Sequence, residues 1–473
     1  MNQTKCKKET YRFQGPGKRK VVGEFDGGHI SSDAGVVLLG EVEKRRGIIK
    51  RLSECFIDYR DQRYCEHRVE ELLKQRIYGI ALGYEDLIDH DELRVDPLLA
   101  TTIGKDDPTG EGRRRLQDKG KPMAGKSTMN RMELRRDNPE EDGRYKKIGV
   151  DGGAIKRLLV QVFLEARVEA PERLVLDLDS TDDLIHGHQE GRFFHAYYGD
   201  YCYLPLYIFC EDFLLCARLR EANHGDTPGV VEEMGAIVSQ IRERWPKVGI
   251  VVRGDGAFGV ESIMSWCEQN GVDYLFGKAK NKRLEAEIKQ ETQQARQEYE
   301  RTGKPARVFK DFMYQTLDSW SRQRRVVAKA EHLEKGSNPR FIVTSLSKEE
   351  IDGQTLYERE YCARGDMENR IKEQQLCLFA DRTSTGRMKS NQLRLWFSSM
   401  AYVMMNELRR LGLRDTELRK AQCDTIRLKL FKIGALVRVT VRRVLMRFSS
   451  AYPYERVFKQ VYNNLIDYEA LRC

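Results

Sequence analysis

The sequence predicts an α/β fold in which a mixed β-sheet carries helices on its faces. From about residue 172 onward, apolar strand-like segments and amphipathic helical segments follow the order strand, strand, strand, helix, strand, helix, strand, which is typical of α/β layers. The composition agrees, because 40% of the 473 residues are hydrophobic and 21 Tyr and 18 Phe are present. Such a chain is expected to fold rather than stay disordered, and is long enough for two to four domains.

The elements are predicted from hydrophobic periodicity and from turn and cap signals. In the N-terminal part, apolar residues at helical spacing predict a helix over 69–88. The α/β region is predicted to contain strands at 173–179, 203–211, 213–221, 248–255 and 272–279 and helices at 227–245 and 262–270. The second and third strands form a hairpin that turns near Asp212, and Thr227 and Pro228 begin the first helix as N-cap and first residue.

The sequence pattern changes after residue 280, where a polar segment is followed by strand-like segments. A polar segment at 281–304 predicts a helix, and the segments 308–320, 322–333 and 340–346 predict antiparallel strands. A helix is predicted over about 364–379, and two or three more helices are expected to follow up to the C-terminus.

One stretch, GKPMAGKS at Gly120–Ser127, matches the phosphate-binding pattern G-x-x-x-x-G-K-[ST]. That pattern works only between an apolar strand and a helix, so that backbone N–H groups face the phosphates. The residues before it, DPTGEGRRRLQDK, contain no apolar run. We therefore expect a basic loop whose following helix is capped by Ser127 or Thr128, and no nucleotide site.

The charge is unevenly distributed. The chain has 82 Lys and Arg against 73 Asp and Glu, a formal net charge of +9, and residues 401–450 hold twelve basic and four acidic residues. Such clustering suits a polyanion such as DNA, although an amphipathic helix with a solvated basic face would look the same.

The cysteines and the N-terminus bear on localisation. The eleven cysteines contain no C-x-x-C pair, which argues for reduced thiols and against a zinc ribbon. No apolar signal-peptide core and no stretch near ~20 apolar residues occurs. The sequence predicts a soluble cytoplasmic protein with no membrane partner.

Carboxylates follow two of the predicted strands. The period of two in LVLDLDSTDD places Val175, Asp177 and Asp179 on one face of its strand. Asp255 follows the apolar strand VGIVVRG at its C-terminal end, where open α/β sheets bind ligands. Each alone is more typical of a turn or cap, but two carboxylates at adjacent strand ends repel each other unless a cation neutralises them.

A third carboxylate lies on the helix predicted from YCARGDMENRIKEQQ. Helical spacing places Arg364, Glu368, Lys372 and Gln375 on one face, with Tyr361 just before it. By itself this helix face is more typical of a solvent-exposed series of ion pairs. The order of Asp179, Asp255 and Glu368 along the elements is that of the ribonuclease-H-like fold, in which such residues bind two Mg²⁺ ions, and Mn²⁺ may substitute.

Several segments resemble the DDE transposases of bacterial insertion sequences, and the insertion-sequence 1380 family in particular. They are DGGHISSDAGVVLL, DHDELRVDP, AGKSTMNRMEL, LDLDSTDDLIHGHQEGRFFHAYYGDYCYLPLYIF, LREANHG, VVRGDGAF, RGDMENRIKE and IRLKLFKIGA. The resemblance spans nearly the whole chain. It implies a ribonuclease-H-like core interrupted by a mainly β insertion, and largely helical flanking regions that bind DNA.

The resemblance implies a division into a DNA-binding region (1–150), the first part of the core (170–280), a β insertion (281–350), the second part of the core (351–410) and a basic helical region (411–473). It implies Asp179, Asp255 and Glu368 as the catalytic and metal-binding triad. The partners implied are the terminal inverted repeats and target DNA, with a homodimer in the synaptic complex of a nucleoid-associated bacterial enzyme.

Related transposases carry a signature Y-x2-R-x3-E-x6-K. Tyr361, Arg364 and Glu368 match it, whereas Gln375 stands where the lysine belongs. Lys372, one turn earlier, is predicted to make the phosphate contact instead. Asp177 is expected beside the metal site, although which of Asp177 and Asp179 is the ligand stays open at this point.

Arg253 and Lys278 are further candidate phosphate contacts because of their position near the predicted site. His186, His188 and His195 resemble a zinc cluster only weakly, because no cysteine lies near them. They are expected to contact phosphate or to pack locally.

Two other functions compete. LVLDLDST also fits haloacid-dehalogenase-like phosphatases, with Asp177 as nucleophile and Asp179 as general acid. That chemistry needs a downstream acidic pair, and Gly259 stands where its second acid would lie. The other alternative is a DNA-binding regulator of the same fold that does not cleave.

Overall fold

The computed structural model describes residues 9–15, 17–134, 145–224 and 227–470. The chain forms two compact units. One comprises Met1–Ile49, Asp61–Met132 and Glu407–Cys473, and the other comprises Lys50–Arg60 and Glu133–Asn406. The second unit contains every residue of the predicted triad.

A nine-stranded mixed sheet forms the centre of the second unit. In spatial order its strands are Phe213–Arg218, Leu206–Cys210, Arg173–Ser180, Gly249–Gly254, Asp273–Lys278, Arg340–Thr344, Arg324–Leu333 and Ala306–Tyr314, and Gly336–Ser337 pairs with Arg324–Leu333. The α/β class and the mixed sheet predicted from the sequence are therefore present.

The strand directions bring two of the carboxyl ends together. Gly249–Gly254 runs parallel to Arg173–Ser180 and to Asp273–Lys278, while the remaining neighbours are antiparallel. In the register of the first pair, Asp177 lies opposite Arg253. Residues that follow these two strands consequently meet at one edge of the sheet.

Helices of this unit are Gly152–Glu165, Val230–Arg244, Glu261–Gln269, Lys282–Glu287, Lys289–Thr302, Gly365–Leu378 and Met388–Glu407. A short helix Gly353–Thr355, a π-helical segment Leu356–Tyr361 and a 3₁₀ turn Cys362–Arg364 precede Gly365–Leu378. Two small sheets pair Phe56–Asp58 with Ile148–Val150, and Asp183–Leu184 and Phe193–His195 with Asp200–Tyr203.

The predicted alternation of the first core strand is confirmed. Leu174, Leu176 and Leu178 lie in one buried cluster with apolar residues of the helices, among them Phe163 and Met234. Burying each leucine contributes roughly 1.5–3 kcal/mol, which fixes the register of the strand and therefore the direction of the aspartates on its other face.

Some predicted boundaries are wrong for identifiable backbone reasons. The helix predicted over 69–88 is Val69–Leu82, because Gly83 adopts φ 95° and ends it. The helix predicted to begin at Thr227 begins at Val230, after Gly229 with φ 74°. Thr227 instead accepts the Val230 N–H through its backbone carbonyl at 3.2 Å.

The predicted insertion contains the expected antiparallel strands, and they extend the central sheet. They are shorter than predicted, with bounds Ala306–Tyr314, Arg324–Leu333 and Arg340–Thr344. The polar helix is two helices, Lys282–Glu287 and Lys289–Thr302, and the Asn281 side chain caps the first by accepting the Leu284 N–H.

The first unit is largely helical but contains more β-structure than expected. Its helices are Val37–Arg46, Val69–Leu82, His90–Leu93, Pro97–Thr102, Cys423–Ile426 and Glu455–Ala470, with π-helical segments Leu408–Gly412 and Arg427–Phe431. Ile48–Glu54 and Lys126–Glu133 run from one unit into the other. Strands Tyr11–Phe13 and Val21–Gly23 form one sheet, and His29–Ser31, Ala435–Thr440 and Arg443–Phe448 form another. Short 3₁₀ turns complete both units, at Ala34–Val36, Gln62–Tyr64, Leu87–Asp89, Leu116–Asp118 and Ala222–His224.

The basic C-terminal region, predicted to be helical, contains two strands besides its helices. Ala435–Thr440 and Arg443–Phe448 form a hairpin, as the alternating, β-branched pattern ALVRVT favours. Its exposed basic side chains are Arg438, Arg442, Arg443 and Arg447.

The GKPMAGKS stretch does not form a phosphate-binding loop. The 3₁₀ turn Leu116–Asp118 precedes it, and the helix Lys126–Glu133 begins inside the motif. The Asp91 carboxylate accepts the Lys126 N–H at 3.0 Å and lies 3.3 Å from the Lys126 ammonium. Asp91 thus caps this helix, so the predicted cap at Ser127 or Thr128 is wrong.

None of the described helices is both long and apolar enough to cross a membrane. The nine cysteines in the described part of the chain are all free thiols.

His90 provides a pH prediction. Burial lowers the pKa of this fully buried ring to about 3, and the Arg76 guanidinium adds to the effect. Below about pH 6.5 the unfolded chain protonates this histidine, whereas the folded protein does not. The free energy of unfolding therefore decreases as the pH is lowered, by up to about 1.4 kcal/mol per pH unit. We expect His90→Gln to flatten this dependence between pH 6 and 4 in urea unfolding. The exposed His29 is the control, and equal slopes for His29→Gln and His90→Gln would contradict the prediction.

Candidate active site

Asp179 lies at the carboxyl end of the strand Arg173–Ser180. Its Oδ1 accepts the Ser180 N–H at 3.0 Å. Ser180 is itself held by Arg220, whose guanidinium donates to the Ser180 hydroxyl at 2.6 Å. The end of this strand is thus fixed from both its backbone and its side chains.

Asp255 directly follows the neighbouring strand Gly249–Gly254. Its Oδ1 accepts the Ala257 N–H at 2.9 Å, which is a turn geometry typical of aspartate. The turn aims the carboxylate at the same edge of the sheet as Asp179.

Glu368 lies in the first turn of the helix Gly365–Leu378. Arg364 stands between it and the first aspartate, with Nη2 at 3.2 Å from Glu368 Oε1 and Nη1 at 3.6 Å from Asp179 Oδ2. The predicted common face of Arg364 and Glu368 is therefore present, although Arg364 itself belongs to a 3₁₀ turn.

One cavity of about 650 Å³ brings the three carboxylates together. Asp179, Asp255 and Glu368 all line it, and so do Arg364 and Lys372. The three residues are separated by 76 and 113 positions in the chain.

The electrostatics of the cavity disfavour the charged form of Asp179. Its pKa is raised to about 7, chiefly by burial; the neighbouring Asp255 and Glu368 contribute to the rise, and the Arg364 guanidinium opposes it. A divalent cation would relieve this repulsion, and carboxylate oxygens are the ligands that Mg²⁺ prefers.

Within the described part of the chain, no group of three or more His, Cys, Asp or Glu side chains lies close enough to hold a metal ion. The triad thus shares a cavity without forming a chelating cluster, and a guanidinium lies beside two of its members. Oxygen donors and mutual repulsion fit a divalent cation, whereas the spacing is too open to hold one as it stands.

Asp177 and Arg253 neutralise each other. Arg253 donates to the two Asp177 oxygens at 2.5 and 2.8 Å, and its Nη1 donates to the Glu360 carbonyl. Both side chains are buried. Burial raises the pKa of Asp177, and Arg253 opposes that shift. The hydrogen-bonding groups of Arg253 are thus engaged by Asp177 and Glu360, and the expected phosphate contact of Arg253 finds no support. Asp177, paired with this guanidinium, is not placed as a nucleophile.

Gln375 connects the helix Gly365–Leu378 to the chain that follows Asp179. Its amide nitrogen lies 3.3 Å from Thr181 Oγ1, 3.2 Å from the Asp182 carbonyl and 3.2 Å from Asp183 Oδ1. Asp183 is fully buried, and burial raises its pKa well above the usual range. A neutral amide donor suits this carboxyl group.

Replacing Gln375 by leucine is expected to lower the free energy of unfolding by about 1–3 kcal/mol, because Asp183 and the Asp182 carbonyl lose a buried donor. Gln375→Lys is expected to lose less, since an ammonium can pair with the Asp183 carboxylate. Urea unfolding measures both. Leu376, 76% exposed on the same helix, is the control, and Leu376→Ala is expected to stay within about 0.5 kcal/mol of wild type. A Gln375→Leu protein as stable as the control would contradict the assignment.

Two of the other predicted residues face a neighbouring cavity. Tyr361 and Lys278 line a space of about 600 Å³ that shares Asp255 with the first cavity. Lys278 also lies 4.9 Å from the centre of the Trp320 ring, and burial lowers its pKa. Lys372 by contrast is exposed and lines the triad cavity itself.

The three histidines of the segment 186–195 have different surroundings. His195 lines the triad cavity, and His188 Nδ1 lies 3.2 Å from Arg192 Nη1. His186 is exposed. The absence of a metal-holding cluster among the described residues applies to them as well.

Sequence reasoning missed part of the cavity wall. Tyr197 and Tyr198 line the cavity beside His195. Their only signal was the aromatic run FFHAYYGDY at 193–201, which carries no periodicity that points to a site.

The chain belongs to the family described as "Transposase DDE domain group 1", whose model matches residues 13–470. It is therefore a DDE-class DNA transposase, an enzyme of the nuclease and strand-transferase kind, and this family uses divalent metal ions. No curated protein sequence matches the chain. Among solved structures, it resembles the piggyBac transposase synaptic complex with hairpin DNA, solved by cryo-electron microscopy, with a TM-score of 0.40 and 10% identity over 85% of this chain and 80% of that one.

Proposed function

We propose that this protein is the transposase of a bacterial insertion sequence of the 1380 family. It cleaves DNA at the terminal inverted repeats and joins the 3′ ends to target DNA by two-metal-ion phosphoryl transfer. The observation that carries the proposal is the meeting of Asp179, Asp255 and Glu368 in one cavity, within a chain of the DDE family.

The strand order supports a ribonuclease-H-like core. Counted along the chain, the five strands before the insertion lie in the spatial order third, second, first, fourth, fifth, with only the second antiparallel to both of its neighbours. The catalytic helix Gly365–Leu378 follows the inserted strands. This arrangement agrees with the order of carboxylates that the sequence predicted.

Each residue has a proposed part. Asp179, Asp255 and Glu368 would hold two Mg²⁺ ions, and these would supply activation of the attacking water or 3′-hydroxyl and charge stabilisation of the leaving oxygen. Arg364 pairs with Asp179 and Glu368 and contacts a phosphate oxygen when DNA is bound. Asp177 and Arg253 position the strand end that carries Asp179.

Lys372 takes over the phosphate contact of the missing lysine. It is exposed on the cavity wall, whereas the amide of Gln375 is engaged by residues 181–183. Lys372→Ala is expected to weaken strand transfer. Lys389 is exposed, does not line the cavity and serves as the control position. Normal strand transfer by Lys372→Ala would refute the assignment.

DNA-end binding is assigned to the first unit. The exposed arginines of the hairpin formed by Ala435–Thr440 and Arg443–Phe448 offer a basic edge suited to phosphates. Two ends must be held together for transposition, so we propose a homodimer in the synaptic complex, acting in the bacterial cytoplasm at the nucleoid.

The test is cleavage of a duplex carrying one inverted repeat that flanks the gene. With Mg²⁺ or Mn²⁺ the purified protein is expected to nick the repeat end and to join its 3′-hydroxyl to a plasmid, and EDTA is expected to stop both reactions. Tight binding without nicking would favour the regulator. Metal-dependent hydrolysis of a small phosphomonoester without DNA cleavage would favour the phosphatase, which the pairing of Asp177 with Arg253 argues against.

A further inference from the structure

A β-hairpin rich in aromatic side chains lies at the rim of the triad cavity. Phe193–His195 pairs with Asp200–Tyr203, and His195 lies opposite Asp200 at the end of the pairing. We call residues 193–203 the tyrosine hairpin. Its turn contains Tyr197 and Tyr198, and Gly199 completes the reversal with φ 71°.

The two tyrosines of the turn differ in burial. Tyr198 packs against the buried Cys202, Leu204 and Ala222, and so anchors the turn. Tyr197 stacks edge-on against Tyr198 at a centroid distance of 5.0 Å and is 86% exposed. Because both rings line the cavity that holds the triad, Tyr197 presents a rigidly supported aromatic face to solvent beside the catalytic carboxylates.

Exposure of apolar rings extends along the hairpin. Phe194 is 55% exposed, and Phe193 and Tyr201 are 38% and 40% exposed. A single exposed ring needs no explanation, but four on one hairpin beside a catalytic cavity form a patch of the kind that marks a binding surface.

Polar groups of this surface add to the aromatic rings. The Arg192 guanidinium lies 3.8 Å from the centre of the Tyr201 ring. His195 Nδ1 is buried without a hydrogen-bond partner in the described part of the chain. The nearby acids make local contacts, since Glu190 accepts the Met388 N–H at 3.1 Å and Asp200 accepts the Tyr201 N–H at 2.7 Å.

Aromatic faces combined with arginine are the chemistry with which proteins hold unpaired nucleotides, because every base has a face that can stack. We propose that the tyrosine hairpin binds unpaired bases of the substrate DNA next to the scissile phosphate, with Tyr197 stacking on one base and Arg192 near the backbone. This inference rests on the proposed function, since it takes the cavity as the place where a DNA strand is cut.

Unpaired bases would give the cavity access to the scissile phosphodiester. A phosphodiester inside a duplex is flanked by stacked bases that hold it in a regular backbone, and an enzyme that takes a base out of the stack must offset the lost stacking. A supported ring at the rim of the cavity supplies a replacement stacking partner where the strand must distort.

The test uses a forked DNA, a short duplex with one unpaired tail that carries 2-aminopurine near the junction, and a fully paired duplex of the same length. Binding is measured with EDTA present, so that no strand is cut. Tyr197→Ala and Tyr197→Leu are expected to weaken binding of the fork by roughly 5- to 100-fold, as loss of one stacked base predicts. Tyr197→Phe keeps the ring and is expected to bind within about twofold of wild type.

The fully paired duplex is expected to bind all four proteins within about twofold, and quenching of 2-aminopurine by wild type is expected to disappear in Tyr197→Ala. Val168→Ala, at a position 96% exposed in the same unit, is the surface control, and matching thermal midpoints show that the variants fold. Equal losses on fork and duplex would overturn the proposal, because the ring would then contact paired DNA, and so would unchanged fork binding by Tyr197→Ala.

The two proposals fail separately. If wild type binds the fork and loses it in Tyr197→Ala but never nicks DNA with Mn²⁺, the proposed function is wrong and the base-binding hairpin stands. If wild type nicks the DNA and all Tyr197 variants bind the fork alike, only the hairpin assignment is wrong.

Discussion

Glu368→Gln is expected to lower DNA strand cleavage by at least about 10²–10³-fold, the cost of removing one group that stabilises a transition state. The substitution keeps the size of the side chain but replaces a carboxylate ligand by an amide. Because Glu368 is only one of the residues that line the cavity with Asp179 and Asp255, the affinity for DNA is expected to stay within a few-fold of wild type. Cleavage of a labelled inverted-repeat duplex with Mg²⁺ measures the first effect, and a gel-shift titration measures the second.

The same helix offers a matched control. Asp366 lies two residues before Glu368, is exposed, and does not line the cavity. Asp366→Asn is expected to cleave at a rate close to that of wild type. If Glu368→Gln cleaves as fast as this control, Glu368 is not part of the metal site and the assignment of the triad fails.

A metal readout separates a lost ligand from a misfolded protein. Wild type is expected to show a higher thermal midpoint when Mn²⁺ is added, because a cation that binds only the folded state stabilises it. Glu368→Gln is expected to reduce this shift and to keep the midpoint measured in EDTA. A full Mn²⁺ shift together with lost cleavage would assign Glu368 to a role other than metal binding.

Arg253→Met is expected to lower the free energy of unfolding by about 3–5 kcal/mol, the range for a buried charge that loses its partner. Asp177 stays buried in this variant without the guanidinium that contacts both its oxygens. The carbonyl of Glu360 loses its donor as well. Equilibrium unfolding in urea measures the loss.

An exposed arginine of the neighbouring strand is the control for charge removal. Arg173 pairs with the Glu360 carboxylate at 2.9 Å, but its side chain is 43% exposed. Arg173→Met is therefore expected to cost only about 0–1 kcal/mol. The double variant Asp177→Leu with Arg253→Met is expected to recover much of the loss, and an Arg253→Met protein no less stable than Arg173→Met would show that the buried pair contributes little.

Family and metal chemistry were accessible from the sequence because the signals are local. Asp179 and Asp255 each follow an apolar strand, and the period of two in LVLDLD assigns Leu174, Leu176 and Leu178 to one face. The third acid needed the resemblance to transposases, since Glu368 on its helix looks like part of an ordinary ion-pair ladder.

Element ends were less predictable, because they depend on single backbone conformations. Gly83 and Gly229 both adopt positive φ and move the end of one helix and the start of another. The C-terminal hairpin at Ala435–Thr440 was missed for a related reason. Its basic residues fit the polar face of an amphipathic helix equally well, although the β-branched alternation of that segment favours a strand.

The sequence by itself determined the α/β class and the DDE transposase family, because periodicity and motif residues are written in short patterns that need no distant partner. It also predicted Asp179, Asp255 and Glu368 as a triad, the last of them only through the resemblance to transposases. The tertiary structure alone decided what those acids touch. Asp177 faces Arg253 across 76 positions of the chain and Gln375 reaches back to Asp183, contacts set by strand register and helix packing. Tyr197 lines the cavity for the same reason, since its place there depends on how the elements pack. A local pattern fixes which way a side chain points along its own element, whereas its charge partner depends on which elements pack together.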